Sequence, residues 1–282
     1  MPWQHVRASP FSTILDVSRS TDEMSFCRQG QLWHLWESVM DQTYAFDWPL
    51  LTPSGKADLL LRSRNALLSF HQESDPVLRS STPSAIYYQL AFQAAIILIH
   101  RPFFSEPVGT PTLPIALKAG TNASLEICRI TRDARKKSSF ADFPPHIINY
   151  IVCAAVVHLM NATCGRTRSG RRSANNLRTC MDGLGDMGRR WSFRQQAAIR
   201  FWKEMAHKWK VVWALPIQHS APLMADVEEH QSTGVLGDTM AYETPGRDFY
   251  MWQSGHVDGG LDPESYQCVT SELGLLFDFE SE

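Results

Sequence analysis

Apolar residues recur along the chain at helical rather than alternating spacing. From Lys56 to about Gln72, Leu60, Leu61, Leu67, Leu68 and Phe70 fall on or near one side, and Asp75-Pro76 ends the run. Ala85–Ile99 is apolar nearly all round, the pattern of a helix in the middle of a bundle. Thr82-Pro83-Ser84 supplies hydroxyls to cap its start and Pro102 stops it, with Arg101 beside the last carbonyls. Ile115–Lys137 stacks Ala116, Ala119, Ala123, Ile127, Ile130 and Ala134 on one face. Pro144-Pro145 opens a second largely apolar helix, His146–Thr163, through Ile147, Ile151, Ala154, Ala155 and Leu159. Gly165–Ser173 reads as a loop and Ala174–Arg190 as a helix built on Leu177, Met181, Leu184 and Met187. Phe193–Trp213 has the sharpest two-sided pattern. Ala198, Phe201, Trp202, Met205, Trp209, Val212 and Trp213 oppose Arg194, Gln195, Arg200, Lys203, Glu204, His207 and Lys208.

Before Lys56 only Leu32–Met40 reads as a short helix, and beyond Pro216 the pattern dissolves into Gly, Ser, Asp and Pro. No convincing strand alternation occurs. The expected fold is all-α, a bundle of about five to seven helices with irregular N- and C-terminal segments. Three parts are expected: an irregular segment over 1–55, a helical domain over 56–215 and a low-order tail over 216–282.

Composition narrows the possible roles. Apolar residues make up 44% of the 282 positions and charged ones 20%, enough apolar mass for a real core. With 27 Lys and Arg against 29 Asp and Glu, binding nucleic acid by bulk charge alone is disfavoured. The first twenty residues lack the apolar stretch of a secretory signal, and Ala85–Ile99 is too short to span a bilayer. A soluble, intracellular chain in a reducing compartment is therefore expected, without a membrane partner.

Chemical motifs are sparse. The six cysteines include no C-x-x-C, and the ten histidines show no metal-ligand spacing, so His146 and His158 read as core or helix-end residues. Zincin, P-loop and nucleophile-elbow patterns are absent. Gly183-Leu-Gly185-Asp-Met-Gly188 matches G-x-G-x-x-G but lies within a helical pattern with no strand ahead of it, the wrong setting for a dinucleotide. Arg166, Arg168, Arg171, Arg172 and Arg178 crowd the 165–173 loop and its flank with no acid between them. They read as a solvated connection or, with Arg135-Lys136-Lys137, as a phosphate contact or nuclear import signal. At the C-terminus, Leu273, Leu276, Phe277 and Phe279 interleave with Glu272, Asp278, Glu280 and Glu282. That segment reads as an activation motif offered to a partner groove, or as a tail docked on its own domain.

With the helices placed, a family resemblance emerges. Ala85–Phe104, ending Ile-Ile-Leu-Ile-His-Arg-Pro-Phe-Phe, resembles the signature of the fungal-specific transcription factor domain, with His100, Arg101 and Pro102 as its structural centre. This domain is the middle homology region of binuclear zinc-cluster regulators of the nitrate-assimilation and xylanolytic-activator type. Ala66–His71 with Asp75-Pro76 is similar to the family's upstream helix, with Phe70 where Trp is usual. Ser124–Cys128, the Ala155–Thr163 run, and Cys180–Met187 followed by Trp191 resemble its later helices. The resemblance covers about residues 56–213. It implies a non-enzymatic regulatory portion of a transcription factor, acting in the nucleus through transcriptional coactivators or a dimer partner. The family's zinc ions belong to an N-terminal cysteine cluster that this sequence lacks, so no cofactor is expected in this chain and DNA would be reached only through a missing or separate module. A fragment of a longer regulator, or a regulator that lost its reader, would both fit. The alternatives are a small helical enzyme with an unrecognised pocket and a helical scaffold with no regulatory role.

Overall fold

Three helices start with one device. Thr52, Thr82 and Thr167 each sit one residue ahead of a helix and accept a hydrogen bond from the backbone N–H three residues on, at 3.1, 3.4 and 3.2 Å. Each cap satisfies a backbone donor that the first turn leaves unpaired, worth about 1 kcal/mol. Pro53 and Pro83 follow two of these threonines, where a missing N–H costs nothing. The helices so begun are α2 (Pro53–Gln72), α3 (Pro83–His100) and α6 (Arg168–Gly188). The others are α1 (Thr21–Thr43), α4 (Thr112–Lys137), α5 (His146–Ala162) and α7 (Ser192–Lys208). The structure, a computed structural model, describes residues 21–43, 48–107, 109–137 and 140–220. Among these there are seven α-helices, short 3-10 turns and no strand, so the fold is all-α as the periodicity required.

The two helices that are apolar all round form the middle. α3 packs against α1, α2, α4 and α5, while α5 packs against α3, α4, α6 and α7. Ile97 and Ile99 of α3 and Ile147, Ile151 and Leu159 of α5 are fully buried. Around them close Leu32 of α1, Leu60 and Leu67 of α2, Ile127 of α4, Leu177 and Leu184 of α6, and Trp202 of α7. No helix among the described residues is long and apolar enough to cross a membrane.

Three boundaries differ from the sequence reading. The short helix expected at Leu32–Met40 is a 23-residue helix that packs on α3, so residues 21–43 belong to the bundle rather than to an irregular segment. Its inward positions include buried Ser25 and Gln29, and Gln29 donates to the Tyr150 hydroxyl of α5 at 3.4 Å. Polar residues on the inner face hide an apolar period. The expected loop at Gly165–Ser173 is instead mostly the first turns of α6, begun by the Thr167 cap. The last helix stops at Lys208 instead of running to Trp213. Lys210 takes a left-handed φ of 56°, and the Val211 and Lys210 N–H groups bond the carbonyls of Ala206 and His207 at 2.8 and 3.1 Å. Those two bonds satisfy the helix-end carbonyls and turn the chain.

Candidate functional site

His100 ends α3, one of the two helices apolar all round, and Arg101 and Pro102 begin the turn that follows. Beyond α3, Arg101–Ser105 forms a 3-10 turn that buries Phe103 and Phe104. His100 is itself buried, and its Nδ1–H donates to the Ile96 carbonyl at 2.7 Å. Burial pushes its pKa down to about 4, so the ring is neutral near pH 7. Phe103 meets the Trp48 ring edge-on at 5.2 Å. Lys56 Nζ lies 4.8 Å from the Trp48 ring centroid and pairs with Glu106 at 2.7 Å. Phe104 lies against Gly120 of α4, where an added Cβ would stand 2.6 Å from the ring. His100-Arg101-Pro102 is thus a packing element.

The basic run lies on a helix, not on a loop. Arg168, Arg171, Arg172 and Arg178 are exposed along α6, with Arg166 exposed just ahead of it. The helix has no acid in its first turn, and basic residues there oppose the helix dipole. The edge of α6 is tied to α4, where Arg135 reaches half-buried Asp186 at 2.6 Å and exposed Asp182 at 3.5 Å. The G-x-G-x-x-G match lies wholly within α6 with no strand among the described residues, so it has no phosphate-binding setting. Leu273, Leu276, Phe277 and Phe279 lie outside the described residues.

The strongest chemical constellation is one that spacing did not reveal. Cys128 of α4, His158 of α5 and Cys180 of α6 converge in the core, with their ligand-capable atoms all within 4.8 Å of one another. Cys128 Sγ lies 3.2 Å from His158 Nε2, 3.4 Å from Cys180 Sγ and 3.5 Å from the Asn176 carbonyl oxygen. All three side chains are at most 1% exposed. The Cys180 thiol donates to Cys128 and holds the Cys128 pKa below the ordinary thiol value against the opposing effect of burial, with His158 and Arg132 adding to the fall. The Cys180 proton is correspondingly held, and its pKa rises because of that same bond and its burial. His158 Nδ1 is buried with no hydrogen-bond partner.

A thiolate beside an imidazole is the chemistry of a covalent nucleophile or of a soft-metal ligand set. In this closed packing the sulfurs offer no surface to a substrate. Each residue alone reads as core: Cys as a small hydrophobe, His as a satisfied ring. They are 30 and 52 residues apart from Cys128 along the chain, so no spacing rule applies. The usable signal was that each lies on the inward stripe of its own helix. No known protein family, curated protein or solved structure matches the chain.

Proposed function

We propose that this chain is the regulatory portion of a fungal transcription factor. It modulates RNA polymerase II transcription in the nucleus through coactivators or a dimer partner, while a separate module reads DNA. The observation that carries the reading is order. The five family-like segments occupy α2, α3 with its 3-10 turn, α4, α5, and α6 with Trp191, in succession within one bundle. The exposed arginines of α6 add a surface suited to phosphate or to an import receptor. The Glu272–Glu282 segment supplies an activation motif in which Leu273, Leu276, Phe277 and Phe279 interleave with acids and are offered to a partner groove.

The test fuses the full chain to an unrelated DNA-binding domain and measures reporter expression. Activation is expected, together with its loss when Leu276, Phe277 and Phe279 become Ala and its retention when Ser281 becomes Ala. A silent fusion at normal expression, or a triple variant as active as its parent, overturns the reading. The unfused chain should bind duplex DNA only in a salt-sensitive, sequence-independent way.

A further inference from the structure

We propose that Cys128, His158 and Cys180 form a binding site for one Zn2+ ion inside the bundle, joining α4, α5 and α6. The inference departs from the sequence expectation that the chain holds no cofactor and does not depend on the regulatory reading, because it rests on three side chains and their chemistry alone. Two sulfurs and an imidazole nitrogen are donors preferred by zinc, whereas calcium and magnesium require oxygen. In a tetrahedral site, Zn–S bonds of about 2.3 Å and a Zn–N bond of about 2.0 Å place the donors roughly 3.5–3.8 Å apart. The observed 3.4 Å and 3.2 Å are close to that, and the third separation stays within 4.8 Å. Adjustments of a few tenths of an ångström at the two short separations and of up to about 1 Å at the third, within the reach of side-chain rotation, would open the site around an ion.

Charge favours a divalent ion. Two thiolates cancel Zn2+ and leave a neutral centre in a core that penalises net charge, whereas a monovalent soft ion would leave one negative charge buried. The metal takes the place of whatever proton the two sulfurs hold between them, which leaves to solvent, and nothing is oxidised or reduced. The carbonyl oxygen of Asn176, 3.5 Å from Cys128 Sγ, has a second lone pair and offers a fourth ligand. With three ligands on three helices, the ion would act as a structural cross-link. Its burial means that it loads during folding or by local opening.

The experiment uses the full chain, expressed in zinc-supplemented medium and purified under reductant. Metal analysis and native mass spectrometry should find one zinc per chain. Refolding with Co2+ should give sulfur-to-cobalt charge-transfer absorption and the intense visible bands of a tetrahedral thiolate site. C128S, C180S and H158Q should each lose the zinc and the cobalt spectrum, while C27S and C153S keep both. Because buried substitutions can unfold the domain, the unmodified chain supplies an independent reading: its melting temperature should rise with Zn2+ and fall with a chelator. A zinc-free chain after refolding with zinc, a melting temperature indifferent to zinc, or cobalt binding lost only in C27S overturns the site. So does a Cys128–Cys180 disulfide trapped directly from cells in a zinc-free chain.

Discussion

Helices α5 and α6 lie side by side and use opposite strategies. α5 buries 15 of its 17 residues, most of them large and apolar, so its position follows from bulk hydrophobicity with little dependence on any one partner. α6 buries 9 of 21, and five of those nine are Gly170, Ser173, Ala174, Cys180 and Gly183. Its inner stripe is small, so it secures its place by close approach, while arginines cover the outside. At Gly183 an added Cβ would lie 2.8 Å from Thr131 Cγ2 of α4 and 3.5 Å from Ile151 Cδ1 of α5. The cysteine-histidine cluster sits on this close seam rather than in the bulky centre. A central helix made of volume tolerates rearrangement, whereas a seam made of small residues fixes the relative placement of chemical groups.

The largest expected effect tests the bulky side of the contrast. Ile97→Asp in α3 or Ile151→Asp in α5 places an unpaired carboxylate at a fully buried position and should remove more than about 4 kcal/mol, enough to unfold the domain. Circular dichroism and thermal melting check it. A wild-type-like melt in both variants would break the distinction between centre and seam.

A pH series sharpens it next. His100 is neutral in the fold with a pKa of about 4, against 6.5 when unfolded. The unfolded chain therefore binds a proton that the folded chain refuses, and stability falls as pH drops from about 6.5 to 4. The full shift corresponds to about 3 kcal/mol. His71, lowered by burial and by Arg79 and Arg28, contributes in the same direction. Urea midpoints measured across that window should show a slope that H100N flattens. An unchanged slope would mean that the end of α3 admits water.

One substitution made at two positions of α6 then tests the seam. Gly183→Ala meets Thr131, a β-branched side chain with little freedom to move, and overpacking of about 1–3 kcal/mol should exceed the helix-propensity gain of about 1 kcal/mol. Gly185→Ala meets nothing within 4 Å and should stabilise by roughly 0.4–1 kcal/mol. Denaturant melts that move both variants the same way would show that α6 is not held by close approach. The smallest effect belongs to its outer face. Arg171→Glu near the helix start should raise stability by roughly 0.3–1 kcal/mol by complementing the dipole, and high salt should erase the gain.

How far the sequence reached depends on whether the signal was local. α3 and α5 could be read directly because a run that is apolar on every side has only one place to go. The start at Thr82, the proline stops and the all-α class are local as well, whereas α2 begins at Pro53, three residues ahead of the Lys56 read from the apolar period. α1 was underestimated because Ser25 and Gln29 occupy inward positions, and its extent follows from what α3 and α5 offer to it. The Arg168–Arg172 run reads as a loop because the buried residues there and next to it, Gly170 and Ser173, carry no apolar signal. Lys210 ends α7 in a conformation that no propensity rule assigns to lysine. Cys128, His158 and Cys180 show the same limit most clearly. Periodicity places each of them on the inner side of its own helix, but which inner sides face one another depends on how three helices cross. That crossing is set by the small side chains and Gly183 along the seam, a property of the packed bundle and not of any single segment.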